Sequence, residues 1–175
     1  MREVYIFDID GCVMPPIFSN FNKNGSRKNI VKEVIKNGND VKLYPDFIKF
    51  YEKNCIKTES IFFITGRKKS EFGKMTENQL LILANIKSFQ VIYYPEGKPY
   101  KIQEYFAWKV KTVKEIIKNI IKNKNFIENS KEKVSFNIFD DMVDYFPKVR
   151  EFENKYDTNI QLTLIDNKIS WNSLL

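Results

Sequence analysis

Asp8 and Asp10 stand one residue apart at the end of an apolar run, Val4-Tyr5-Ile6-Phe7, and lead directly into Gly11. A β-strand places side chains i and i+2 on one side. A strand over residues 3–8 is therefore expected to deliver both carboxylates together, with Gly11 turning the backbone away beside them. One carboxylate of such a pair can attack an electrophile while the other transfers a proton, and both can help to hold a divalent cation. That division suits phosphoryl transfer through a phospho-aspartate. Alone, Asp-x-Asp-Gly also reads as an acidic turn, so its weight depends on what lies downstream.

Composition narrows the chemistry. The 175 residues contain no histidine and two cysteines, Cys12 and Cys55, which are far apart in sequence. Zinc sites of the Cys/His type, Ser-His-Asp triads and Cys-His nucleophile pairs are thereby excluded. A metal would need oxygen ligands, which points to magnesium or a similar hard ion. The length fits a single domain, and 43% hydrophobic residues fit a globular one. No apolar run approaches a membrane span. Asp8 and Asp10 interrupt the only apolar stretch near the N-terminus, so a cytoplasmic location without a membrane partner is expected. The net charge of +7 favours anionic partners such as nucleic acid or phosphorylated substrates, although lysine is dispersed along the chain rather than gathered in a block.

The elements that must position these residues follow from periodicity. Strands are expected over residues 3–8, 61–64, 89–94, 134–139 and 160–165. Helices are expected over 27–36, 45–54, 68–85 (broken at Gly73, with Thr76 as a second N-cap), 102–124 and 142–154. Alternation of strand and helix predicts an α/β protein, a Rossmann-like three-layer α/β/α sandwich with a mainly parallel five-stranded sheet. Ligands of such sheets bind beyond the carboxyl ends of the strands. Three predicted strands end in reactive residues: Asp8/Asp10, Thr65 and Asp140/Asp141.

In this order the residues resemble the haloacid dehalogenase (HAD) superfamily of aspartate-nucleophile phosphatases. Asp8-Ile9-Asp10-Gly11 resembles its first motif, Phe63-Ile64-Thr65-Gly66-Arg67 its second, Lys109 its third and Phe139-Asp140-Asp141 its fourth. The resemblance implies that Asp8 is the nucleophile and Asp10 the acid and base. It implies that Thr65, Gly66, Arg67 and Lys109 bind the phosphoryl group, with Thr65 and Lys109 also catalytic. It further implies that Asp8, Asp10 (through its backbone carbonyl), Asp140 and Asp141 hold Mg²⁺. Asp144 is a weaker candidate beside them. Cys12 departs from the family, which usually has Thr or Val there. No large cap is visible, and residues 11–43 have the length of a flap or small insert within one domain over 1–175.

The later part of the chain is more loosely similar to RNA-repair-associated phosphatases of the polynucleotide kinase/phosphatase type, through Trp108-Lys109 and Phe139-Asp140-Asp141. That similarity implies a nucleotide or polynucleotide phosphate end as substrate. Arg67, Lys68, Lys69, Arg27 and Lys28 would contact phosphates, and Tyr93, Tyr94 or Tyr100 would stack a base. The alternatives are a small-metabolite phosphatase of the same fold and a non-catalytic nucleic-acid-binding module built on it.

Overall fold

Five strands, β1 (Arg2–Asp8), β2 (Ser60–Thr65), β3 (Gln90–Tyr93), β4 (Val134–Asp140) and β5 (Asn159–Leu164), form one sheet in the order β3-β2-β1-β4-β5. Every neighbouring pair is parallel. The computed structural model describes residues 2–17, 27–58, 60–99, 101–127, 133–142, 144–156, 158–165 and 170–175, with backbone alone at 27–29 and 124–127. The helices are α1 (Arg27–Gly38), α2 (Pro45–Asn54), α3 (Lys69–Ala84), α4 (Ile102–Ile127) and α5 (Phe146–Tyr156), and a 3₁₀ turn spans Trp171–Leu174.

Side-chain alternation along the strands divides the core in two. Tyr5, Phe7, Phe63 and Phe139 pack against Phe47, Phe50 and Tyr51 of α2, Leu80 and Leu83 of α3, and Trp171. Val4, Ile6, Ile64, Phe136 and Ile138 face the other way, against Val113, Ile116 and Ile117 of α4 and Val149 and Phe152 of α5. The result is the expected α/β/α sandwich. Chain order reverses between β1 and β4, the switch point at which such sheets open a crevice beyond their strand ends.

Three local expectations are corrected. Helix α3 runs unbroken through Gly73 and Thr76. Thr76 is no cap: its hydroxyl donates to the Phe72 carbonyl one turn back and accepts from Arg67. Helix α5 starts at Phe146, four residues later than expected, which leaves a turn carrying Tyr145 between β4 and the helix. Ile102, which helical spacing places on the apolar face of α4, is 57% exposed and lies off that stripe.

Within the stretch 11–43, α1 packs on α3 through Val34, Phe72 and Met75, with Ile17 beside them. Residues 18–26 of the expected flap lie outside the described residues. Among the described residues, no helix is long and apolar enough to cross a membrane.

Candidate active site

Strand register builds the centre. Ile6 pairs with Ile138 and Phe7 with Phe139, so Asp8 and Asp140 end adjacent strands side by side. Each continues the alternation that points toward α4: Val4, Ile6, Asp8 on β1 and Phe136, Ile138, Asp140 on β4. Helix α4 supplies the answering cation. Lys109 lies four, seven and eight residues before Val113, Ile116 and Ile117, in the stripe that packs on the sheet. Packing thus carries a lysine into the core, where it is 1% exposed.

Lys109 Nζ donates to Asp8 Oδ1 at 2.7 Å and pairs with Asp140 Oδ2 at 2.6 Å. The Met142 backbone N–H donates to Asp140 Oδ1 at 3.0 Å. Asp141 completes a group in which one oxygen from each of Asp8, Asp140 and Asp141 lies within 4.8 Å of the others. Gly11 makes room for it. Its φ is +87°, and a Cβ at this position would lie 2.3 Å from Asp141 Oδ2, so both backbone conformation and close approach call for glycine.

Electrostatics at this point are unbalanced. Burial, reinforced by Asp140 and opposed by Lys109, pushes the Asp8 carboxyl well above its ordinary range. Asp141 is pushed up to about 6 by burial and by Asp140. Burial works to lower Lys109, but Asp8 and Asp140 outweigh it and hold the ammonium well above its usual value. Three carboxylates facing one ammonium carry two uncompensated negative charges when ionised. That charge and an all-oxygen donor set fit a hard divalent cation, so the cluster could hold a metal.

Asp10 does not join this group. Strand β1 ends at Asp8, and Asp10 sits in a turn where Met14 N donates to Ile9 O and Gly11 N to Met14 O. Those bonds bypass the Asp10 backbone carbonyl. Its carboxylate is gripped by Arg67, with Nε donating to Oδ2 at 2.9 Å and Nη2 to Oδ1 at 2.7 Å. The remaining guanidinium donors meet Thr76 Oγ1 at 2.9 Å, Gln79 Oε1 at 2.5 Å and Met14 Sδ at 3.3 Å. Arg67 is fully buried and every one of its N–H groups has an acceptor. Its side chain is therefore spent on orienting Asp10 and is not free to meet a phosphate.

The other expected site residues divide similarly. Thr65 is buried at the end of β2, where its Oγ1 accepts the Arg67 backbone N–H at 3.2 Å. Gly66 lies under the Tyr105 ring, 3.3 Å from the position a Cβ would take. Lys68 is buried and Lys69 exposed. Tyr94 is 2% exposed, donates to Pro99 O and packs on Tyr105 and Trp108, so it offers no open face to a base. Tyr93 is half-buried, and Tyr100 lies outside the described residues. Arg27 and Lys28 begin α1, with only their backbone described. Asp144 is exposed and outside the convergent group. Cys12 is fully buried, and burial with Asp8 nearby pushes its thiol well up, away from the reactive thiolate form.

Two residues escaped sequence reasoning. Tyr105 Oη donates to Asp8 Oδ1 at 3.3 Å, and Tyr145 Oη donates to Asp140 Oδ2 at 2.5 Å. Tyr105 carried one signal, its place one turn before Lys109 on the same stripe. Tyr145 carried none, because a helix expected from residue 142 hid the turn that aims it.

No protein-family model matches the chain, and neither does any curated sequence. Solved structures do. The HAD domain of the effector protein Lem4 from Legionella pneumophila aligns with 99% of this chain and 91% of its own at 13% identity, with a TM-score of 0.52. An inactive mutant of that domain gives 0.54 at 13% identity over 99% and 90%. The chain has a HAD-like fold. A chain of the Pnkp1/Rnl/Hen1 RNA repair complex aligns over 95% of this chain and 43% of its own at 14% identity, with a TM-score of 0.46, below the level that establishes a shared fold. Within the HAD-like sheet, the four sequence motifs fall at the carboxyl ends of β1, β2 and β4 and on α4.

Proposed function

We propose that the chain is a Mg²⁺-dependent phosphomonoesterase working through a phospho-aspartate on Asp8, with the phosphorylated end of a nucleotide or polynucleotide as substrate. The observation that carries this reading is Lys109, buried between Asp8 and Asp140 at the ends of adjacent strands with Asp141 beside them. Lys109 holds Oδ1 of Asp8, which leaves Oδ2 for attack.

In this mechanism Oδ2 bonds to phosphorus as the bond to the leaving oxygen breaks. Asp10 protonates that oxygen and later takes a proton from the hydrolytic water. Arg67 grips both Asp10 oxygens, so Asp10 must turn one of them toward the leaving group while the other stays held. Lys109 offsets charge on the phosphoryl group, and Thr65 with the Gly66 amide orients its oxygens. Asp8, Asp140, Asp141 and the Asp10 carbonyl would hold Mg²⁺, which supplies charge neutralisation and alignment when bound. The net charge of +7 supports a polyanionic substrate.

The test is phosphate release with Mg²⁺ from an aryl phosphate, nucleoside 3′- and 5′-monophosphates, sugar phosphates and 3′- and 5′-phosphorylated oligonucleotides. Wild type is compared with Asp8→Asn. Release that needs both Asp8 and metal, and is greatest on nucleotide or oligonucleotide ends, is the expected result. Preference for sugar phosphates would replace the substrate class. Release that survives Asp8→Asn would remove the nucleophile.

A further inference from the structure

One oxygen of each of Asp8 and Asp140 takes two side-chain donors, one of them a tyrosine, while the other Asp140 oxygen takes the Met142 backbone N–H. Asp8 Oδ1 takes Lys109 at 2.7 Å and Tyr105 at 3.3 Å. Asp140 Oδ2 takes Lys109 at 2.6 Å and Tyr145 at 2.5 Å. Both rings lie 5.3 Å from the ammonium, close enough for cation–π attraction. Packing, rather than the carboxylates, fixes these rings. Tyr105 lies over Gly66 and against Tyr94 and Trp108. Tyr145 packs on Phe106 and Phe146. The hydroxyls are thus pre-aimed, and among the described residues no donor reaches Asp8 Oδ2.

We propose that the two hydroxyls serve different parts of the site: Tyr105 stabilises Asp8 as the leaving group when the phospho-aspartate is hydrolysed, and Tyr145 holds Asp140 in the orientation that binds the divalent cation. This rests on Asp8 being the nucleophile. When Oδ2 bonds to phosphorus, Oδ1 becomes the carbonyl oxygen of the acyl phosphate. In the second half-reaction the water oxygen bonds to phosphorus and its proton goes to Asp10. The P–Oδ2 bond breaks, its electron pair returns to Asp8, and the charge spreads onto Oδ1. A donor at Oδ1 strengthens as that charge arrives. In the first half-reaction the same donor already stabilises the free carboxylate and gains nothing at the transition state. Its benefit therefore falls on hydrolysis of the intermediate. Tyr145 acts through Asp140, as outer partners of metal-binding carboxylates do.

Two variants test this, each preserving its ring. With Tyr105→Phe, rapid-quench measurement of labelled enzyme should show a larger steady-state phosphorylated fraction. The kcat should be roughly tenfold lower, as for one lost charge-assisted hydrogen bond, with Mg²⁺ affinity unchanged. With Tyr145→Phe, calorimetry without substrate should show Mg²⁺ binding about 10- to 100-fold weaker. In an Asp140→Asn background, Tyr145→Phe should add no further loss. The Tyr105 role is overturned by an unchanged phosphorylated fraction. The Tyr145 role is overturned by unchanged Mg²⁺ affinity, or by an equal loss in the Asp140→Asn background. A lower melting temperature with none of these readouts moved would make both tyrosines merely structural and overturn the proposal. If wild type forms no phospho-aspartate, the nucleophile reading and the Tyr105 role fail together, while the Mg²⁺ measurement on Tyr145 still stands.

Discussion

On the α4 side of the strand ends, three carboxylates share one ammonium. On the α3 side, one carboxylate meets one guanidinium whose every donor has an acceptor. Both regions are built from buried ion pairs a few residues apart on β1 and its turn. The first, with its three carboxylates ionised, is short of positive charge by two. The second is neutral, with every guanidinium donor matched. Burying a charge is costly unless it is paired, so the second group is balanced as it stands, while the excess negative charge of the first fits a hard divalent cation. The contrast sets an acidic cluster that could hold a metal apart from a matched ion pair that fixes the Asp10 carboxylate.

The largest effect expected on this contrast is chemical. Asp8→Asn should lower phosphate release by roughly ten-thousandfold or more, read on the best substrate of the panel, whereas Arg67→Met, which leaves the Asp10 carboxylate in place, should cost less. Next come the two buried cations. Lys109→Met and Arg67→Met should each destabilise the fold, by about 3–5 kcal/mol for Lys109 and about 3 kcal/mol for Arg67, in urea denaturation. Added Mg²⁺ should recover part of the first loss and none of the second. Equal rescue of both would erase the distinction between the regions.

A smaller effect comes from pH. Burial and the neighbouring Asp140 raise the Asp141 carboxyl from its ordinary range to about 6 in the folded protein. A raised carboxyl binds more protons folded than unfolded across that interval. Metal-free stability should therefore fall as pH rises from about 4 through 6. Mg²⁺ requires the ionised form, so its stabilisation should appear over the same window and fade below it. Melting curves with and without Mg²⁺ would check both slopes, and a metal-free protein that gains stability through this range would contradict the charge imbalance. The smallest effect is expected at Gly11→Ala. It should cost about 1–2 kcal/mol for its positive φ and weaken Mg²⁺ binding by displacing Asp141, with the Asp10–Arg67 pair untouched.

Much of this was legible in the sequence because periodicity fixes where strands stop. Asp8, Thr65, Asp140 and Asp141 stand at or just past the ends of apolar runs bounded by turn residues, and Lys109 follows from the apolar stripe of α4. The direction of the Asp10 carboxylate was not legible. It depends on a guanidinium 57 residues away, and a pattern of period two says nothing once the strand has ended. Arg67 looked like a phosphate ligand because it follows Thr65-Gly66, yet its acceptors Thr76 and Gln79 lie on a helix that the sequence appeared to break at Gly73. Tyr105 reads only as a member of the apolar face of α4 and Tyr145 carries no signal, since a hydroxyl aimed at a carboxylate leaves no periodic trace.

The position of β1 at the centre of the sheet has a consequence for how the protein folds. Asp8 meets Lys109 across 101 residues of chain, and Asp140 comes from further still. Strands β1, β2 and β3 are neighbours in both sequence and space, but β4 must close a loop spanning most of the chain before it lies beside β1. The acidic cluster is thus completed by the pairing that closes the longest loop in the sheet. An ion that binds only the completed site acts after the folding barrier has been crossed. Mg²⁺ should leave the folding limb of a chevron unmoved and lower its unfolding limb, acting as a late clasp on the longest-range junction of the molecule.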